Sequence, residues 1–131
     1  RSAEPGPWRT ARAEYLRGVM DAMSDPTIPM VVVLKSSQIG YSETLMNMIG
    51  YFIDQDPTTI LLIEPTLDLA HTFSKDRVAP MLRDTPCMQG KVTEAKGRIA
   101  ENTLLQKVFT GGRLTLVGAN SPSGLAANAA R

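Results

Sequence analysis

Two short stretches, Met30-Val31-Val32-Val33-Leu34 and Thr59-Ile60-Leu61-Leu62-Ile63, are almost wholly apolar and rich in β-branched residues. A strand with one face in water alternates apolar and polar side chains. A run without alternation suits a strand buried on both faces, the habit of a central parallel strand. Each run leads through a breaker into helical periodicity. Gly40 lies in the turn after the first run, and a helix is predicted from about Tyr41 to Ile53. It carries Leu45, Met48, Ile49, Phe52 and Ile53 on one face and is stopped by Asp54, Asp56 and Pro57. Pro65-Thr66 breaks the second run, and Thr66 or Asp68 starts another helix. Leu69, Ala70 and Phe73 point inward there, and the helix ends or kinks before Pro80. Strand, helix, strand, helix predicts an α/β fold. Its sheet is mainly parallel, joined by a right-handed crossover, with helices on both faces.

The flanks are read by the same rules. Pro5 and Pro7 make the start extended, after which Thr10 is predicted to cap a helix running to about Met23. Leu16, Val19, Met20 and Met23 form its buried stripe, and Ser24-Asp25-Pro26 with Pro29 end it. Asp84 to Glu101 is irregular. Thr103–Phe109 and Arg113–Val117 flank Thr110-Gly111-Gly112, a hairpin signal. Gly118 to Arg131 is small and polar, then alanine-rich, and no internal repeat or low-complexity linker divides the chain. One domain over residues 1–131 is expected.

Composition narrows the function classes. The 131 residues carry 14 Lys and Arg against 13 Asp and Glu, a balance unsuited to coating DNA over a whole surface. With 43% hydrophobic residues the chain is not a disordered one. No apolar run approaches the roughly 20 residues of a membrane span, and no signal-peptide core opens the chain. The single cysteine, Cys87, can form no internal disulfide and assemble no zinc site.

The chemistry concentrates in Lys35-Ser36-Ser37-Gln38-Ile39-Gly40-Tyr41-Ser42, between a predicted strand and a predicted helix. A phosphate loop needs that setting, because its turn aims backbone N–H groups at an anion from a helix N-terminus. Against G-x-x-x-x-G-K-[ST], Gly40 and Ser42 stand at the second glycine and the hydroxyl position. Lys35 replaces the first glycine and Tyr41 the usual lysine. A loop lysine works as a point charge, so what matters is where its ammonium lands. The four-carbon stem of Lys35 reaches the same phosphates from the other shoulder. Ser42 would supply a hydroxyl for Mg²⁺, and the amides from Gln38 to Ser42 would line the anion. The same residues, taken alone, read equally as a strand-to-helix turn with a surface lysine.

Pro65-Thr66-Leu67-Asp68-Leu69-Ala70 resembles the P-T-x-E-L-A element of nucleic-acid helicases, which opens a helix facing the strand's phosphates. With it, a collinear set of short matches spans almost the whole chain. They are Gly6-Pro7-Trp8-Arg9-Thr10, Val33 to Ser42, Gly50-Tyr51-Phe52-Ile53 and Pro65-Thr66-Leu67-Asp68. They continue through Arg83-Asp84-Thr85-Pro86, Asn102-Thr103-Leu104-Leu105 and Gly118 to Leu125. In that order they resemble the large-terminase ATPase of lambda-like tailed phages, the gpA type. Large terminases displace the loop's basic residue to its beginning, as Lys35 is displaced, and some carry Gly-Tyr-Ser as here.

The resemblance implies a partial P-loop NTPase fold and an ATP-driven motor that packages double-stranded viral DNA into a procapsid. ATP and Mg²⁺ would be its cofactors, with Lys35, Ser36, Ser37, Gln38, Ile39, Gly40, Tyr41 and Ser42 at the phosphates and Ser42 at Mg²⁺. Trp8, Arg9 and Thr10 match an adenine-side element. Thr66 matches the helicase-like element, and Lys75 and Arg77 on the same helix are candidate DNA contacts by position and charge. The implied partners are viral DNA, a small terminase subunit, the portal of the procapsid and further copies in a motor ring. No membrane is implied, and the setting is the cytoplasm of a bacterial host. Hydrolysis needs carboxylates to order Mg²⁺ and position water. In the family these follow the Gly118–Leu125 stretch, so the chain is expected to stop short of them and to lack the nuclease domain.

Two other readings share parts of this pattern: a helicase-like ATPase outside phages, and a non-catalytic nucleotide- or DNA-binding prophage remnant. Glu64 comes too early to be the family's carboxylate. It also lacks the G-x-G-x-x-G turn that a ribose-binding acid requires. His71 and Cys87 have no sequence partner that suggests catalysis, and the seven methionines read as core filler.

Overall fold

A computed structural model describes residues 6–92 and 104–126 of the chain. It divides into two compact units, residues 1–48 and 49–131. No helix among the described residues is long and apolar enough to cross a membrane.

The first unit opens with two 3-10 turns, Thr10–Arg12 and Glu14–Leu16, before helix α1 (Arg17–Ser24). The single helix expected from Thr10 is therefore broken. Ala13, at φ −141° and ψ 56°, leaves helical space between the turns. Thr10 does not cap. Its hydroxyl instead accepts a hydrogen bond from Trp8 Nε1 at 3.1 Å. The predicted stripe survives in Leu16, which is buried, and in half-buried Val19, Met20 and Met23.

Met30–Leu34, expected as a buried strand, forms none. Met30, Val32 and Leu34 are 76%, 82% and 102% exposed, while Val31 and Val33 are half-buried. Apolar β-branched residues make a segment fit for a buried strand, but only neighbours with free ladder groups make it one. Among the described residues none pairs with it. Helix α2 (Tyr41–Asp54) follows as expected, beginning one residue after Gly40. Thr44 and Met46 are buried along with Met48, Ile49 and Ile53, so its covered face is broader than the predicted stripe.

In the second unit, strand β1 (Ile60–Glu64) lies one residue later than predicted. Thr66 then caps α3 (Leu67–Phe73), its hydroxyl accepting from Leu69 N at 3.3 Å. Ala70 is buried, but Leu69 is exposed, against expectation, because α3 covers the sheet with its Ala70 side. Pro80 does not end the helix. A π-turn, Ser74–Val78, widens the backbone so that Ala79 N bonds Ser74 O, and α4 (Ala79–Asp84) starts with Pro80 in its first turn. The wider i→i−5 turn lets the ladder skip one donor, so a residue without an N–H is tolerated directly after it. A 3-10 turn, Pro86–Met88, follows where irregular chain was expected, and Met88 is buried.

The hairpin is present as β2 (Gln106–Phe109) and β3 (Gly112–Gly118), joined through Gly111 at φ +92°. A side chain rarely adopts that angle, so the glycine is what permits the turn. β3 is central in the order β1-β3-β2. It runs parallel to β1, with Ile60 opposite Leu114 and Glu64 opposite Gly118, and antiparallel to β2. Among the described residues the sheet is thus a small mixed one, since Met30–Leu34 contributes no strand and the hairpin contributes an antiparallel edge. Leu114 and Leu116 are fully buried and form its core with Phe109 and Val117. The final stretch, small and polar in sequence, contains α5 (Pro122–Ala126), with Ser121 Oγ accepting from Gly124 N at 3.3 Å. Residues 93–103 and 127–131, including Asn102, Thr103 and the alanine-rich end, lie outside the described residues.

Candidate nucleotide-binding loop

The predicted phosphate loop belongs to the first unit and is an exposed turn on the N-terminus of a 14-residue helix. Lys35 to Gln38, Gly40 and Ser42 are exposed, while Ile39 and Tyr41 are half-buried. Two of its residues are left-handed, Gln38 at φ +59° and Gly40 at φ +82°. For glycine that costs nothing, but for glutamine it costs on the order of 1 kcal/mol, which the surrounding turn must impose. Left-handed residues set among right-handed ones turn successive N–H groups toward one side, the arrangement that cradles anions.

The helix start is secured from the loop side. Gly40 O accepts Thr44 N at 3.1 Å and the buried Thr44 hydroxyl at 3.4 Å. The amides of Tyr41 and Ser42, in the first turn, have no intrahelical acceptor, and the helix dipole adds partial positive charge there. Lys35 Nζ lies 5.6 Å from the centroid of the Tyr41 ring, with a long 3.4 Å contact to Ser36 O. So one end of the loop carries an ammonium, the other a helix N-terminus.

A brace that no sequence motif announces holds the loop. Tyr15, from the second 3-10 turn, donates its hydroxyl to Ile39 O at 2.8 Å. Leu16 Cδ1 sits 3.7 Å from where a side chain on Gly40 would begin. The only sequence signal was Leu16 in the apolar stripe. Nothing in the spacing points an exposed tyrosine at a carbonyl 24 residues away. Of the expected adenine-side residues, Trp8 and Thr10 meet each other through their hydrogen bond, and exposed Arg9 offers its carbonyl to Arg12 N at 3.0 Å.

In the second unit, Thr66 stands at the carboxyl end of β1, where Gly118 of β3 packs against it so closely that a Cβ there would meet Leu67 N at 2.4 Å. Ala119 N donates to Glu64 O at 2.7 Å. Burial pushes the Glu64 carboxyl up. Lys75 and Arg77 are exposed on the π-turn, roughly 13–17 Å along the helix from Thr66 by ordinary helical rise, so the three do not form one cluster. A concavity of ≈ 470 Å³ lined by Thr59, Gln106, Val108, Gly112 and Arg113 contains none of the predicted site residues. Among the described residues no group of three or more His, Cys, Asp or Glu gathers for a metal.

The profile of the phage terminase large subunit gpA ATPase domain matches residues 2–131. The chain belongs to that family. It is 33% identical over 111 residues to the terminase large subunit of Enterobacteria phage P21 and 34% identical over 110 residues to that of Escherichia phage lambda. These alignments cover 85% and 84% of this chain but 17% of each relative. The chain therefore spans about a sixth of the length of the terminases it matches. No solved structure matches it. Against the standard phosphate-loop pattern, the chain thus carries a lysine six residues before the usual lysine position and a tyrosine after its glycine, the lysine exposed and the tyrosine half-buried.

Proposed function

We propose that residues Lys35–Ser42 hold the phosphates of ATP and that the chain is the nucleotide-binding part of a motor packaging double-stranded viral DNA into a procapsid. The observation that carries this reading is the exposed, left-handed turn at the head of α2, with an ammonium at one shoulder and first-turn amides at the other, in a chain of the gpA ATPase family. Lys35 binds the outer phosphates as a point charge, and the amide N–H groups of Gln38 to Ser42 donate to the rest of the anion. Trp8, Arg9 and Thr10 take the adenine side.

Mg²⁺ fits the loop in part. Ser42 offers one exposed hydroxyl, a hard oxygen suited to an ion that keeps several waters and takes its other ligands from phosphates. When bound, Mg²⁺ neutralises charge on the phosphates. Ser42 would hold it, and no carboxylate cluster among the described residues adds to that donor. Thr66, Lys75 and Arg77 are assigned to the DNA side, Thr66 through the helix it caps. The small terminase subunit, the portal and further copies of the chain are the proposed partners of the whole protein, in the host cytoplasm.

Calorimetric titration of ATP with Mg²⁺ into the wild-type and Lys35→Ala chains tests the reading. A hydrogen bond to a charged group contributes about 1.5–3 kcal/mol, so the variant should bind about 10- to 150-fold more weakly. Equal affinity would remove Lys35 from the site.

A further inference from the structure

We infer that Tyr41 is the positioning residue for Lys35: its ring face holds the displaced ammonium over the head of α2, so that the two side chains together do what one lysine does in the standard loop. This inference rests on the nucleotide reading above. In the standard pattern the lysine follows the glycine, and its stem is anchored in the helix itself. Here that anchored position is occupied by Tyr41, half-buried at the first residue of α2, while the charge comes from Lys35 on an exposed shoulder six residues earlier.

An exposed lysine has many rotamers, and nothing in a shoulder position by itself sends its ammonium toward the helix. The helix dipole works against it, since partial positive charge at an N-terminus repels a cation. The other contact of the ammonium, Ser36 O at 3.4 Å, is too long to fix it. The attraction that offsets the dipole is the Tyr41 ring. Its centroid lies 5.6 Å from Lys35 Nζ, within the range at which a ring quadrupole attracts a cation. Tyr41 is itself placed by the helix it begins, and that helix by the Gly40–Thr44 bonds. The chain of position thus runs from α2 through the ring to the ammonium. Only the ring face is needed, so a phenyl group should serve as well as a phenol.

The test uses the whole chain, with ATP and Mg²⁺ as the probe. Tyr41→Phe should bind ATP within about 1.5-fold of wild type. Tyr41→Leu, which keeps apolar bulk without a π face, should bind about 2- to 5-fold more weakly, the size of an exposed cation–π contact. In a Lys35→Met background the same Tyr41→Leu change should have no further effect. Independently of nucleotide, the ε-methylene protons of Lys35 should resonate upfield of the other lysines in wild type and Tyr41→Phe, and return to the ordinary position in Tyr41→Leu. Loss of affinity from Tyr41→Leu that persists without Lys35 overturns the positioning role, as does an unshifted Lys35 signal in a chain that binds ATP. A wild-type chain that binds no ATP overturns the nucleotide reading itself, and the role with it.

Discussion

Gly118→Ala should unfold the second unit more readily than any exposed substitution, and the reason is geometric. Gly118 closes the parallel pair β1·β3 opposite Glu64, and the start of α3 lies directly upon it. An alanine Cβ would stand 2.4 Å from Leu67 N, 2.7 Å from Thr66 C and 2.6 Å from Asn120 Oδ1. The asparagine amide can rotate away, but the two backbone atoms belong to the turn that caps α3 and move only with it. Overpacking of this kind costs about 1–3 kcal/mol, and backbone neighbours place this site in the upper half of that range. For a chain of this size that is a fall in Tm of about 6–12 °C. Gly18→Ala supplies the opposite sign. Gly18 lies in α1 with nothing within 4 Å of the new methyl, so the helix gains about 0.5–1 kcal/mol. Thermal unfolding followed by circular dichroism measures both. Hydrogen exchange locates the first, which should expose the amides of Leu69 and Ala70, now bonded to the Thr66 hydroxyl and carbonyl. A Gly118→Ala protein as stable as wild type would refute the close approach of β3 to α3.

Other expectations are smaller. Thr66→Ala removes the α3 cap and should cost about 1 kcal/mol, while Thr66→Ser should cost little, both read by chemical denaturation. Tyr15→Phe deletes the hydroxyl that holds Ile39 O and should loosen the loop. A rise in hydrogen exchange at Gly40 and Tyr41 would report it, and no change would remove the brace. Glu64, whose carboxyl is pushed above its usual 4.5 by burial, binds its proton more tightly folded than unfolded. Its burial therefore costs stability above that range, and the cost vanishes as the pH falls below 4.5. Glu64→Gln should raise Tm at pH 7 and leave it unchanged at pH 3. Asp54, held low by Lys91 and then Gln55, has the opposite sign. Its contribution is present above 3.8 and lost as the pH falls through the lowered value, so Lys91→Met should flatten the acid limb of the stability curve.

What the sequence determined by itself is what neighbours along the chain settle. The span of α2, the Thr66 cap, the strand at Ile60–Glu64 and the hairpin through Gly111 follow from periodicity, capping chemistry and a glycine-only turn, all local causes. The family was legible too, because its short motifs keep their order. Long-range causes decided the rest. Met30–Leu34 has a strand's composition but no ladder partner among the described residues, and composition cannot supply one. Pro80 promised a break, yet a π-turn ahead of it reopened the backbone, a solution the buried Ala70, Ser74 and Val78 favour by keeping the helix against its own unit. Leu69 faced out because packing chose the Ala70 side. At the candidate loop, the exposed turn ahead of α2 could be placed in advance, but the hydroxyl of Tyr15 on Ile39 and the ammonium of Lys35 over Tyr41 are contacts across space. Such contacts depend on where folded backbones place their side chains, and no spacing rule along the chain contains that information.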